Sequence, residues 1–343
     1  MHPLAQKVID RDTRATARVC RLVDDRVGDH ATILKDLFPH TGRAWTLGIT
    51  GNPGAGKSTL TDRLIAAYRA QGKRVAVVAI DPTSPFTGGA ILGDRIRMQD
   101  HFSDPDVFIR SLATRGALGG LSRSATDIVR VFDAWGADVV LVETVGVGQD
   151  ELEITRTAHT TLVVVAPGMG DDVQAIKAGI FECADVFAVN KADRDGADGT
   201  MRDLELMIAL GGEVTRSGGH SLGHAAGSLD LGRQEVSHAE GPWLPVIQRT
   251  VSTRNQGVAD LVVQLDRHRV WMSDTALGRQ RREARLRDAM HVQLRDALVD
   301  AALVTLGPSL DEAVRAVSRR EIDPYTASER LIEAFRSASP TRA

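Results

Sequence analysis

The chain has almost no cysteine and few aromatic residues. Of 343 residues two are cysteines, Cys20 and Cys183, and aromatics make up 4%. Two thiols far apart in sequence build no disulfide framework and point to a reducing compartment. No Cys-x-x-Cys pair occurs, which argues against a thiolate metal site made by this chain alone. Strong charge of one sign is also missing. Lys and Arg number 42 against 45 Asp and Glu, a formal net charge of −3, so composition makes no case for a nucleic-acid partner. No apolar run approaches the length of a bilayer span, and Met1 to Lys7 lack the apolar core of a signal peptide. The expectation is a cytoplasmic protein with no membrane and no nucleic-acid partner. What is left, 43% apolar and 25% charged residues, is ordinary globular composition. The length suits one large domain with appendages, or two domains.

Against that plain background one stretch stands out. Gly51-Asn52-Pro53-Gly54-Ala55-Gly56-Lys57-Ser58 fits the phosphate-loop pattern Gly-x-x-x-x-Gly-Lys-Ser/Thr with no mismatch. Ala44 to Thr50 before it reads as a short buried strand. Leu60, Leu64, Ile65 and Tyr68 after it recur at helical spacing. A strand therefore runs into a glycine-rich turn that opens a helix. Glycines let the backbone wrap a phosphate closely. The exposed N–H groups and the positive end of the helix dipole then hold the anion. Lys57 can reach the outer phosphates, and the Ser58 hydroxyl can ligate Mg²⁺. The candidate nucleotide contacts here run from Gly51 through Thr59.

The rest of the chain alternates. Arg74 to Ile80, Asp138 to Val142, Thr161 to Ala166, Asp185 to Asn190 and Pro245 to Ser252 read as strands. Helical segments lie between several of them, among them Asp172 to Phe181 and the run from Gly257 onward. Continuous apolar strands separated by helices predict an α/β, P-loop NTPase fold, a mostly parallel sheet with helices on both faces. Ligands of such sheets bind beyond the carboxyl ends of the strands. Residues 1–42 are expected as an N-terminal helical extension, 43–272 as the nucleotide domain and 273–343 as a C-terminal helical arm used for self-association. From Arg11 to Arg26 arginines alternate with Ala15, Val19, Leu22 and Val23, the pattern of an amphipathic helix with a solvated basic face. Gly211 to Gly241, rich in Gly, Ser and His, reads as a long mobile surface loop. Its His220 and His224 read as solvated loop residues rather than metal ligands, because the glycines around them oppose a helix. In the arm, Leu306-Gly307-Pro308 is expected to stop one helix and Asp323-Pro324 to start another.

Two further motifs fall at strand ends. Asn190-Lys191-Ala192-Asp193 matches the Asn-Lys-x-Asp pattern of guanine recognition. The Asp193 carboxylate can accept from guanine N1–H and the exocyclic amine together, a donor pair that adenine lacks. Val139 to Val142 is an apolar strand that ends in Glu143, with Gly146 three residues on. Glu143 suits a second Mg²⁺ anchor acting through the metal's water shell, and the Gly146 N–H suits a γ-phosphate contact. Asp81 ends its own strand in a similar way. Asp81 and Asp94 are further candidate Mg²⁺ or switch acids, and Gly93-Asp94 can equally be only a turn. Val147 stands where many small GTPases carry the glutamine that orients the attacking water. Slow intrinsic hydrolysis is expected, with transition-state stabilisation mostly from Lys57, Mg²⁺ and loop amides, and a partner supplying the rest.

At this point the chain resembles the GTPase chaperones of cobalamin enzymes, called MeaB in bacteria and MMAA in animals and once described as ArgK transport kinases. The carrying segments are Thr41 to Ala44, Gly48 to Leu60, Asp81 to Pro85, Gly88 to Met98, Val142 to Gln149, Pro167 to Ile180 and the guanine motif. Asp150, where a serine is commoner, and the long loop from Gly211 depart from the pattern. The resemblance implies a SIMIBI-class G domain with helical extensions, usually a homodimer through the C-terminal arm. It implies that Asp81, Asp94 and Glu143 match the family's metal and switch acids and Ser58 its Mg²⁺ hydroxyl. It implies that Gly168 to Lys177, with Gln174 and Lys177, matches a mobile segment coupling nucleotide state to the partner. That partner is an adenosylcobalamin-dependent acyl-CoA mutase, whose cofactor loading is gated by GTP hydrolysis and which the GTPase protects or rescues. The alternatives are a nickel-insertion GTPase of the hydrogenase or urease type, which needs Cys or His ligands beyond His220 and His224, and a kinase, against which Asp193 argues.

Overall fold

The computed structural model describes residues 1–81, 98, 101, 103–113, 123–144, 158–168, 184–217 and 241–338. Three short helices come first, α1 (Pro3–Ile9), α2 (Thr13–Asp25) and α3 (His30–Leu37). Asp12 caps α2 by accepting the Ala15 N–H at 2.8 Å, which satisfies a donor that the first turn leaves orphaned. The apolar stripe read from the sequence is the buried face: Ala15, Val19, Cys20 and Val23 are buried, while Arg14, Arg18 and Arg21 are exposed. Burial pushes the Cys20 thiol up to about 12, so it stays protonated and is no nucleophile.

Seven strands follow: β1 (Trp45–Thr50), β2 (Val75–Asp81), β3 (Val107–Ala113), β4 (Val139–Glu143), β5 (Thr160–Val165), β6 (Val186–Val189) and β7 (Val246–Arg249). They form one sheet in the order β3-β2-β4-β1-β5-β6-β7, and every pairing is parallel. Boundaries match the sequence reading to within a residue except at β7, which stops at Arg249. Ser252–Arg254 is a 3₁₀ turn instead of strand. Strand β3 was not legible. It lies at the sheet edge, and Arg110 and Ser111 interrupt its apolar pattern, so it lacks the continuous apolar run of a central strand.

Among the described residues four further helices lie beside the sheet: α4 (Lys57–Ala70), α5 (Arg123–Trp135), α6 (Ala197–Ser217) and α7 (Val258–Asp274). Alternate residues of β4 point to opposite faces, as the pleat requires. Val140 and Val142 pack with α1, α2, α3 and α5, through Val8, Val19, Leu37, Ile128 and Phe132. Val139 and Leu141 pack with α4 and α7, through Leu60, Leu64, Leu261 and Leu265. The N-terminal helices therefore share their apolar core with the sheet.

Two expectations are corrected. Helix α6 continues through residues 211–217, so the long loop does not begin at Gly211. Met201, Leu204, Met207 and Ile208 anchor the helix on the sheet, and that burial outweighs the ~1 kcal/mol that each of Gly211 and Gly212 costs in a helix. Residues 218–240, with His220 and His224, lie outside the described residues, as does the expected helix Asp172 to Phe181. The chain divides into two compact units, Met1–Arg282 and Glu283–Ala343. Helix α8 (Ala276–Ser318) passes straight through Pro308 instead of stopping there. A proline inside a helix costs ~3 kcal/mol, yet the residues on both sides, Ala301 to Leu303 and Leu310 to Ala313, are good helix formers. Helix α9 (Pro324–Ala338) does start as expected, with Asp323 accepting the Tyr325 and Thr326 N–H groups. No helix among the described residues is long and apolar enough to cross a membrane.

The entry into β1 rests on one carboxylate. Asp133, buried on α5, accepts backbone N–H bonds from Gly42, Arg43 and Ala44 at 2.5, 3.2 and 2.9 Å. Asp133→Ala leaves those donors without their acceptor and is expected to lower stability by roughly 3 kcal/mol. Urea unfolding should show a lower midpoint with an unchanged m-value.

Candidate nucleotide site

All the described motif residues gather at one end of the sheet, the carboxyl end that the parallel topology reserves for ligands. The register sets this level. Ile49 pairs with Glu143, Thr50 with Val163, and Val189 with both Val165 and Arg249. The loop after β1, the acid ending β4 and the turn after β6 therefore emerge side by side. Thr144 ties two of these ends together, its N–H donating to the Ile49 carbonyl at 3.0 Å and its hydroxyl to Thr50 Oγ1 at 3.0 Å.

Glycine is required at two points of the loop. Gly51 has φ 129°, and a Cβ there would stand 2.0 Å from the Val164 carbonyl oxygen. Gly56 has φ 94°, and a Cβ there would stand 2.5 Å from Asn190 Nδ2. Both backbones lie in the region that L side chains rarely adopt. The loop is thus pressed against β5 on one side and against the Asn-Lys-x-Asp turn on the other.

Lys57 is buried at the first turn of α4, and its ammonium donates to the carbonyls of Gly51 at 2.7 Å and Asn52 at 3.1 Å. Ser58 follows, with its hydroxyl 2.7 Å from Glu143 Oε1, and both residues are buried. A hydroxyl and a carboxylate side by side are hard oxygen donors of the kind Mg²⁺ takes, and the open end of the loop leaves the remaining positions to phosphate oxygens and water. Among the described residues no group of three His, Cys, Asp or Glu is placed to hold a metal ion by itself.

Asn190 is buried and bonded on both sides. Its Nδ2 donates to the Ala55 carbonyl at 2.9 Å. Its Oδ1 accepts from the Ser252 N–H at 3.1 Å, the Ser252 hydroxyl at 2.7 Å and the Thr250 hydroxyl at 3.2 Å. Lys191 reaches back to the Gly54 carbonyl at 2.7 Å. Asp193 is exposed and faces Arg254 at 3.5 Å. The Asn-Lys-x-Asp turn and the phosphate loop are thereby joined.

The match to known sequences decides the family. A family model described as methylmalonyl-CoA mutase-associated GTPase MeaB matches residues 16–305. The chain belongs to the MeaB family. A relative in Pyrococcus abyssi is 42% identical over 331 residues, 96% of this chain and 95% of its own length. The Caenorhabditis elegans protein named methylmalonic aciduria type A homolog, mitochondrial, is 30% identical over 305 residues, 87% of this chain and 70% of its own length. A solved structure described as LAO/AO transport system kinase superposes with a TM-score of 0.62 over 96% of this chain and 95% of that one. At 22% identity that likeness shows the fold alone. This MeaB-family chain is a GTPase with a P-loop fold, and that fold binds GTP and GDP.

Of the residues read from the sequence, the structure brings together Gly51 to Thr59, Glu143 and the Asn190 turn. Asp81 closes β2, two residues beyond Ala79, which pairs with Glu143. Asp94, Gly146, Gln174 and Lys177 lie outside the described residues. Sequence reading missed Thr250 and Ser252. The signal was the polar run Thr250-Val251-Ser252-Thr253 directly after an apolar strand, at the same level as the other motifs. Gly51→Ala is expected to weaken GDP binding by roughly a hundredfold or more, because the loop must leave β5 to admit the methyl group. Calorimetric GDP titration, with circular dichroism to confirm the fold, checks it.

Proposed function

We propose that this GTPase regulates an adenosylcobalamin-dependent acyl-CoA mutase, gating cofactor loading and protecting or reactivating the enzyme. The observation that carries this reading is the match, over residues 16–305, to a family described as mutase-associated. The name of the nematode relative, a methylmalonic aciduria type A homolog, points the same way. Methylmalonyl-CoA mutase or a related mutase is the partner proposed.

In this reading Lys57 leaves the loop carbonyls for the β- and γ-phosphates. Ser58 and Glu143, with Asp81 and Asp94, hold Mg²⁺ directly or through its waters. Gly146 N–H meets the γ-phosphate, and Gln174 and Lys177 lie in the segment that answers the partner. Asn190 and Lys191 brace the loop while Asp193 reads guanine. Residues 1–42 extend the GTPase domain 43–272, and 273–343 form the arm of a cytoplasmic homodimer. Leu286, Met290, Leu294 and Leu298, spaced at one helical turn and each more than half exposed, support an association role for that arm.

Two measurements test the reading. Asp193→Asn should weaken GTP binding about 10- to 100-fold, the effect of one charged hydrogen-bond pair, and leave ATP binding as weak as before. Steady-state GTP hydrolysis titrated with candidate mutases should show saturable stimulation by one of them. A tenfold rise corresponds to about 1.4 kcal/mol of added transition-state stabilisation, and Lys177→Ala should abolish it. A flat response to every mutase overturns the chaperone reading, and stoichiometric nickel binding would replace it with metal delivery.

A further inference from the structure

A second site lies at the other end of the sheet. Arg43, Arg74 and Asp138 precede β1, β2 and β4, so the parallel topology places them together at the amino ends of the strands. There they line a cavity of about 180 Å³ with Arg11, Trp135 and Gly136. None of these residues belongs to the nucleotide machinery.

The charges in this cavity are unbalanced. Arg74 is partly satisfied, with Nε bonding Asp106 at 3.0 Å, Nη1 bonding the Gly136 carbonyl at 2.7 Å and its guanidinium 5.7 Å from the Trp135 ring centroid. The Arg11 and Arg43 guanidinium groups have no hydrogen-bond or ion-pair partner among the described residues. Arg11 and Arg74 nonetheless converge. The point where a Cβ on Gly136 would stand is 3.1 Å from Arg74 Nη1, 3.6 Å from Arg11 Nε and 3.8 Å from Arg11 Nη2. Gly136 has φ 96°, and Arg11 itself sits at φ 68° in the turn between α1 and α2. Such a backbone is costly for a residue with a side chain. The Asp106 carboxylate offsets the Arg74 charge at 3.0 Å, which leaves the Arg11 and Arg43 charges to attract a further anion. Asp138 is the one acid in the lining, and its Oδ2 accepts the Arg74 N–H at 2.7 Å.

We propose that this cavity binds a small dianion of the phosphate class. Guanidinium forks pair with oxyanions in two parallel bonds. One fork saturates a carboxylate, whereas three arginines on separate segments suit the several oxygens of a tetrahedral anion. The volume equals only a few waters at ~30 Å³ each, enough for a phosphate group and too small for a nucleotide. The ligand is therefore a free phosphate or the phosphate end of a small metabolite.

The test uses the full chain saturated with GDP and Mg²⁺, so that the phosphate loop is filled. Inorganic phosphate is titrated calorimetrically at constant ionic strength set with chloride. One saturable site per chain is expected, with Kd at or below the millimolar range. Arg11→Gln with Arg43→Gln should weaken it at least tenfold while GDP affinity and the basal hydrolysis rate stay unchanged. Both arginines are exposed. Arg43→Gln alone, expected to weaken binding several-fold, serves if the double variant fails to fold. No saturable binding, binding unchanged in the variants, or malonate binding as tightly as phosphate would each overturn the assignment.

Discussion

One buried amide holds the nucleotide end of the molecule together. Asn190 donates to the phosphate loop through the Ala55 carbonyl and accepts from Thr250 and Ser252 in the turn after β7. Three segments distant in sequence thus share one side chain. In a low-dielectric setting such a network is strong when every group is satisfied and costly when one is lost. The close approach also explains Gly56, since any side chain there would strike the same amide. The phosphate loop and the Asn-Lys-x-Asp turn therefore rest on one junction.

Charge at this end is balanced within the loop itself. Lys57 satisfies its charge on the carbonyls of Gly51 and Asn52, and Ser58 satisfies its hydroxyl on Glu143. In the proposed function these are the bonds that phosphates and a metal ion would replace. Binding exchanges internal partners for ligand oxygens rather than exposing bare charges, which keeps a buried lysine affordable.

Strand β6 connects this junction to the root of the C-terminal helices. Asp185 precedes the strand and Asn190 follows it. Asp185 is buried, accepts the Thr161 N–H at 2.8 Å, and pairs with Arg281 at 2.7 Å and with His268 at 3.4 Å. Arg281 lies in the first turns of α8 and His268 in α7. A four-residue strand thus carries the base-reading turn at one end and the anchor of α7 and α8 at the other. The cavity between Arg11, Arg43 and Arg74 opens at that same amino end, near the start of β1.

The sequence by itself determined the parallel sheet, the phosphate loop and the place of the Asn-Lys-x-Asp turn at a strand end. Continuous apolar strands and a Gly-rich loop carry their own local signal, because sterics and backbone hydrogen bonding act over a few residues. Single-residue signals failed where the rest of the element outvoted them. Pro308 did not end α8, and Gly211 did not end α6, because each sits in a helix whose remaining residues favour it. Strand β3 stayed hidden because an edge position tolerates Arg110 and Ser111. Only the tertiary structure decided that Ser252 braces Asn190, that Asp133 receives the chain entering β1, and that Arg11 meets Arg74 over Gly136. Those contacts join residues 62, 89 and 63 positions apart, and no short-range pattern encodes a contact that exists only once the chain has closed.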